Sequence, residues 1–269
     1  MRKLFLSLVF VGNLIEVFSV DNLRLPDIRS LGMGGNVVTQ SVLFNPSLVV
    51  FEQDKSIHLE YFNRYLLKET GTMSASFHCP NPFLSAGVEI SVFGYDKYRE
   101  TMFRLIGGKQ LGERWTLGVG VHYRFLQAEL LDENKGRVAT DIGLTFSPID
   151  KLLIGLLIVN FPSVNVGNKE IDKEKFRDSF LQIGFQWEVI NSLLIAGSLE
   201  TNSTNTLEGN LGVEYMAFDS FWVRAGLQTT PLLPSLGIGY KLSAFRFDTV
   251  LLYHPMLGMS TGLGLSYSF

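Results

Sequence analysis

The stretch Gly262-Leu263-Gly264-Leu265-Ser266-Tyr267-Ser268-Phe269 decides how the chain is read. Successive side chains of an extended strand point to opposite sides. Leu263, Leu265, Tyr267 and Phe269 therefore share one face, and Gly262, Gly264, Ser266 and Ser268 the other. One such strand would suit a soluble sandwich with its apolar face turned inward. Many in a row, with small or polar residues opposite, describe a barrel turned inside out, apolar toward lipid and polar toward a lumen.

The pattern recurs upstream. Trp115, Leu117, Val119, Val121, Tyr123 and Phe125 alternate with Thr116, Gly118, Gly120, His122 and Arg124. Leu181, Ile183, Phe185 and Trp187 alternate with Gln182, Gly184, Gln186 and Glu188. Period-two alternation is the strand signal. It predicts fourteen strands, near 56–67, 70–79, 83–94, 98–109, 114–127, 137–147, 151–162, 178–188, 192–201, 206–217, 220–229, 234–243, 244–254 and 259–269. An even number is expected of a bacterial single-chain barrel. The span 151–162 is apolar on both faces, which suits contact with an internal segment or a partner. Alternate connections are short, as periplasmic turns are. Those at 126–137, 161–178 and 229–235 are longer and are expected to be external loops. The densely charged stretch 168–178 reads as a solvated loop. Aromatics such as Tyr61, Tyr95, Trp115, Trp187, Trp222 and Tyr253 gather at strand ends, where interfacial girdles place them.

Composition agrees. The 269 residues are 46% hydrophobic and 12% aromatic, with 26 glycines. Beyond the leader no run of eighteen apolar residues occurs, so helical spans are not expected. A net charge of −3 with no basic stripe argues against nucleic acid as a partner. Cys79 is the one cysteine, which excludes an internal disulfide. Residues 1–20 read as a secretory signal peptide: Arg2 and Lys3, then an apolar run from Leu4 to Ile15.

Residues 21–55 do not alternate. Their centre, Asp27-Ile28-Arg29-Ser30-Leu31-Gly32-Met33-Gly34-Gly35-Asn36, leads to Phe44-Asn45-Pro46-Ser47. The glycine run fails the dinucleotide pattern G-x-G-x-x-G, because position 37 is Val and no βαβ unit surrounds it. Its use is backbone freedom and close approach inside a crowded lumen. Asn45-Pro46 marks a turn, since Pro sets its own φ and biases the residue before it away from helix. The segment is expected to be a plug inside the barrel of residues 56–269, with Arg29, Gly32, Met33, Gly34, Gly35, Asn45 and Pro46 as its packing or gating residues.

Two stretches carry a family resemblance. Arg29-Ser30-Leu31-Gly32-Met33-Gly34-Gly35, followed by Asn45-Pro46-Ser47, resembles the amino-terminal signature of the FadL/PorV-like outer-membrane proteins, an R-x-x-G-M-G-G-A run followed by N-P-A. Asn36 and Ser47 stand where that signature has alanine. The terminal strand, with Tyr267 and Phe269, looks like the signal read by barrel-assembly machinery. The resemblance implies an all-β fold, a fourteen-stranded antiparallel transmembrane barrel with an amino-terminal plug, in the outer membrane of a Gram-negative bacterium. It implies two functions: a passive channel for small hydrophobic compounds, or a non-conducting docking or shuttle component of cell-surface protein secretion. Partners would be outer-membrane lipid, the assembly machinery, and a hydrophobic small molecule or secreted cargo.

If apolar positions face lipid, then Glu60, Arg64, Glu89, Arg104, His122, Arg124, Asp141, Glu214, Arg224, Arg246 and Asp248 line the lumen, as does His58. Their mixed signs suggest ion pairs that brace wall and plug, not a selective ring of one charge. Leu232, Leu233, Met256 and Leu257 are placed in the last two outer loops, as contacts for a ligand or partner. Ser76 and His78 share a strand face pointing into the lumen. No nucleophile and base stand at a spacing that fixes their proximity, so no enzyme is expected. The four histidines have no ligand spacing in sequence, so no metal or cofactor is expected either.

Overall fold

The computed structural model describes residues 22–23, 27–129, 135–166, 179–202 and 206–269. The leader, residues 1–20, lies outside them, as does the charged stretch 168–178. The strands are β1 (Ser56–Asn63), β2 (Gly71–Cys79), β3 (Ser85–Tyr95), β4 (Tyr98–Leu111), β5 (Trp115–Ala128), β6 (Lys135–Ile149), β7 (Leu152–Val159) and β8 (Ser163–Val166). They continue as β9 (Phe180–Ile190), β10 (Leu193–Asn202), β11 (Leu207–Phe218), β12 (Phe221–Thr229), β13 (Leu232–Leu242), β14 (Phe245–His254) and β15 (Gly258–Ser268).

All pairings are antiparallel, and the sheet closes where β1 meets β15, with Ser56 opposite Ser268 and Asn63 opposite Thr261. β7 and β8 are two pieces of one stave. Both pair with β6, Ile158 opposite Ile142 and Ser163 opposite Ala139, around a break at Asn160-Phe161-Pro162. The barrel thus has the fourteen staves that the alternation predicts. Full closure leaves no edge to solvent or lipid along most of the wall. No helix among the described residues is long and apolar enough to cross a membrane.

The faces are inverted relative to a soluble protein. Along β5, Trp115, Leu117, Val119, Val121 and Tyr123 are exposed, while Thr116, His122 and Arg124 are buried. Water would drive the opposite partition. Lipid accepts the apolar belt, and the barrel interior takes the polar residues. Trp115 stacks on Phe146 at 4.3 Å, and Phe245, Tyr267 and Phe269 form a chain of rings at the rim holding the chain terminus.

Two expected boundaries are corrected. The first strand stops at Asn63, not at 67, because Tyr65 and Leu66 adopt left-handed φ of 57° and 56° and the Tyr65 N–H donates to Ser260 Oγ. The expected loop at 229–235 is a tight turn at Thr230-Pro231. Thr229 pairs with Leu232, so Leu232 and Leu233 are strand residues of β13 and not loop residues.

Residues 27–51 pack against the inward side of the wall. Helix α1 (Ile28–Gly32) is capped by Asp27, whose carboxylate accepts from Ser30 N at 2.9 Å, and helix α2 (Val37–Gln40) by Asn36. A 3-10 helix (Pro46–Phe51) has Asn45 as its cap and Pro at its first position, where a missing N–H costs nothing. Hydrophobic contacts join this segment to the wall in separate places. Val37, Val38, Leu43 and Phe44 cluster with Leu157, Val159 and Phe180; Ile28 and Leu31 cluster with Phe62 and Val250. The doubly apolar character of β7 has its cause here: Leu157 and Val159 point inward onto α2, while Leu156 points outward.

Candidate functional site

Two polar networks bind the amino-terminal segment to the wall. In the first, Arg29 donates to Glu214 through two nitrogens, at 2.6 and 3.0 Å. Glu214 also accepts from Arg224 at 2.6 Å, and Arg224 donates to Asp248 at 2.6 Å. Arg246 donates to Asp248 at 2.9 Å and stands 5.0 Å over the Trp222 ring. Strand register builds the cluster: Glu214 lies opposite Arg224 across β11–β12, and Asp248 faces Gly239 one strand further. Such a buried group of charges is tolerable only because each is paired. Burial works against the Arg29 charge, but the adjacent Glu214 carboxylate outweighs it and holds the guanidinium above its ordinary pKa.

In the second network, Arg104 donates to Glu89 at 3.1 Å and to the Leu43 carbonyl of the segment at 2.8 Å. Asp141 stands 3.6 Å from Arg104 and 3.1 Å from His122, and Phe44 lies under the Arg104 guanidinium at 4.9 Å. Asp141 also accepts from the Asn160 N–H at 2.9 Å, at the break between β7 and β8.

The sequence-derived lumen residues are thus brought together in groups. Glu60 accepts from the Ile28 N–H at 3.2 Å, and Arg64, beyond the end of β1, donates to Asn22. Arg124 is buried in the wall. Glu100 was not anticipated. It faces inward near the rim opposite the chain terminus, where it accepts from Asn22 at 2.7 Å and from the Tyr98 hydroxyl at 2.7 Å. Period two from Arg104 on the same strand puts Glu100 on the inward face, and that is the signal that marks it in sequence.

Glycines on the inward face let the segment lie against the wall. A Cβ on Gly184 would sit 2.6 Å from Val38 Cγ1, and one on Gly143 would run into the Asn45 side chain. From the segment side, Gly34 has φ of +77°, and a Cβ there would fall 2.5 Å from the Leu211 carbonyl oxygen. Both conformation and space demand glycine at 34. Gly32 lies against Gly237, Met33 against Gly212, and Gly35 has positive φ with open space around it. Asn45 donates to the Val38 carbonyl at 2.6 Å and accepts from Ser47 N and Oγ, so it fastens the turn into the 3-10 helix that Pro46 opens.

The expected outer contacts divide. Met256 is 89% exposed and Leu257 is exposed beside it in the β14–β15 turn, whereas Leu232 and Leu233 lie in the wall. Tyr267 and Phe269 stack on each other at 5.6 Å on the outer face of the last strand. A concavity of about 590 Å³ also lies on the outer face, lined by Leu59, Met73, Ile90, Phe247 and Leu263. It lies within the apolar belt.

No protein-family model and no curated protein matches the chain. Solved structures do. The toluene transporter TodX of P. putida aligns with TM-score 0.63 and 10% identity, covering 89% of this chain and 97% of that one. The monoaromatic hydrocarbon channel CymD gives 0.63 and 14%, over 89% and 96%. A FadL homologue of Pseudomonas aeruginosa gives 0.62 and 11%, over 91% and 98%. At these identities the likeness speaks to fold. The chain has the fold of the FadL-like outer-membrane β-barrels.

Proposed function

We propose that the protein is a non-catalytic, passive channel for small hydrophobic compounds in a Gram-negative outer membrane, with residues 27–51 as its plug. The observation that carries this reading is the combination of a FadL-like barrel with an inward segment held by polar contacts and a glycine-lined fit, not by one continuous hydrophobic core. Movement of such a segment requires the Arg29–Glu214 pair and the Arg104–Leu43 contact to be exchanged for others, because a buried charge left unpaired is costly. The stave stays bonded to β6 through Thr140 across Asn160-Phe161-Pro162, but among the described residues β8 has no pairing with β9, and that side is where the wall can part toward lipid. Bilayer lipid and the barrel-assembly machinery are the partners this fold requires, with Tyr267 and Phe269 as the assembly signal.

With fourteen staves to build, the 269 residues leave little length for a large external binding groove, which favours compact substrates such as monoaromatic hydrocarbons over long-chain fatty acids. The test is uptake of radiolabelled toluene and oleate by cells that lack FadL-type channels and express this protein. Toluene entry should exceed that of the empty-vector control several-fold, with oleate entry less affected. Uptake equal to the control for both compounds would refute the channel reading.

A second reading rests on the rim opposite the chain terminus. There Leu66, Leu67, Met256 and Leu257 are all exposed, and Tyr65 meets His254 edge-on at 5.9 Å. An apolar rim of this kind suits a docking component of cell-surface secretion. Co-purification with a secreted protein, with toluene uptake at control level, would select it.

A further inference from the structure

His58 on β1 and His78 on β2 stand on the inward face near the rim that holds the chain terminus. Their positions follow from register: His78 lies opposite Ser56, and His58 opposite Ser76, so the histidines are diagonal neighbours. Their ring centroids are 4.8 Å apart. Glu52, which ends the 3-10 helix of the amino-terminal segment, reaches the same point. The donor atoms of Glu52, His58 and His78 all lie within 4.8 Å of one another.

His78 is only 2% exposed, and neither of its ring nitrogens has a hydrogen-bond partner within the protein. A buried imidazole normally finds a partner, because an unmet donor or acceptor retains its full desolvation penalty. Space for this ring is built into the wall. A Cβ on Gly87, across β2–β3, would lie 2.8 Å from His78 Cδ2. His58 differs in having hydroxyls at both nitrogens, Ser266 Oγ at 2.8 Å and Ser56 Oγ at 2.9 Å. If one nitrogen binds an ion, the other keeps a serine that orients the ring, the usual outer-shell support of a ligating histidine.

We infer that Glu52, His58 and His78 form a binding site for a divalent transition-metal ion, with Zn²⁺ the best fit, that ties the amino-terminal segment to the barrel wall. Two imidazoles and one carboxylate are a common three-ligand set for zinc, with a water in the fourth position. Tetrahedral Zn²⁺ at about 2.0–2.1 Å from each donor sets donors about 3.4 Å apart. Rotamer adjustment closes the present spacing to that value. Ser76 Oγ, buried and without a protein partner on the same face, is placed to accept or donate to the bound water. The surrounding charges are mixed, Asp27, Asp54 and Asp248 against Arg29 and Arg246, so coordination and not net field must hold the ion. The site is independent of whether the barrel conducts.

The test uses the full-length mature barrel, purified in detergent with a histidine-free tag and stripped with chelator. Zn²⁺ titration should give one ion per barrel and raise the thermal unfolding midpoint, and Co²⁺ should give the visible absorption of a tetrahedral site. His78→Ala and Glu52→Gln should each weaken binding at least tenfold while retaining heat-modifiable gel migration, the sign of a folded barrel. Absence of a stoichiometric ion in the wild type would overturn the site. Equal uptake by wild type and both variants would do the same, and unchanged affinity in Glu52→Gln alone would remove the tie to the segment. Should His78→Ala fail to fold, the Glu52→Gln result decides, because Glu52 lies outside the strands.

Discussion

Among the described residues Arg224 is the largest side chain with no exposure, and it joins Glu214 to Asp248. Its removal would leave two buried carboxylates dependent on Arg29 and Arg246, each of which is partly exposed. Breaking a buried pair by deleting one partner costs about 3–5 kcal/mol. Arg224→Ala should therefore lower the unfolding free energy of the purified barrel, read from urea titration followed by the loss of heat-modifiable migration, by about 3–5 kcal/mol. Arg29→Ala should cost less, since Glu214 keeps Arg224, and serves as the control. Alternation puts Glu214, Arg224, Arg246 and Asp248 on one face of their strands, and Arg29 comes from the segment that does not alternate. Which residue meets which was not legible in sequence. Glu214, Arg224 and Asp248 stand on β11, β12 and β14, and a shift of register by two residues would exchange every partner while preserving every face.

Adjacent residues of β7 take opposite environments, and this is the element scale at which the segment is held. Leu157 is fully buried against Val37 and Val38, while Leu156 faces the lipid. Leu157→Ala should destabilise the barrel by about 2–5 kcal/mol and speed amide exchange in α2. Leu156→Arg should leave α2 exchange unchanged and impair membrane insertion, at about 2–4 kcal/mol if it sits at the bilayer midplane. The same element shows where sequence patterns fail. Asn160 takes a positive φ of 60° and donates to Asp141, which splits one stave into β7 and β8. The expected unbroken span to 162 had no local signal against it apart from Pro162. Similarly, the sequence predicts a longer external loop at 229–235, yet cross-strand pairing from Thr229 carries β13 back to Leu232. Pro234 sits opposite Leu227 within the wall. Tertiary pairing, not the local sequence, set where the strand begins.

At the scale of the whole molecule, the amino-terminal segment touches inward positions on strands all around the barrel. Ile28 approaches Gly262 of β15, Met33 approaches Gly212 of β11, Val38 approaches Gly184 of β9, and Val49 approaches Gly108 of β4. As the plug proposed above, a segment so wound through the interior is expected to block a straight aqueous path. Wild-type protein in a planar bilayer is therefore expected to show ionic conductance near the baseline, even where toluene uptake is several-fold above control. Steady, large single-channel conductance in potassium chloride would contradict a plugged lumen. The combination of low conductance and high apolar flux is what separates a hydrophobic channel from a general porin.

The sequence by itself determined the architecture. Period-two alternation with apolar residues against small polar ones admits one stable arrangement in lipid, a closed barrel with the polar face inside, because every backbone group must be paired and no edge left bare. It also determined the odd character of residues 27–51, through glycines that need positive φ and the Asn45-Pro46 turn. Contacts between distant strands were decided only by the tertiary structure. The four histidines have no ligand spacing along the chain, yet register sets His58 beside His78, and the folded-back segment brings Glu52 to both. Alternation specifies a face, whereas a site requires the third coordinate, the offset of one strand against the next. That offset comes from pairing around the full barrel and from the segment packed within it.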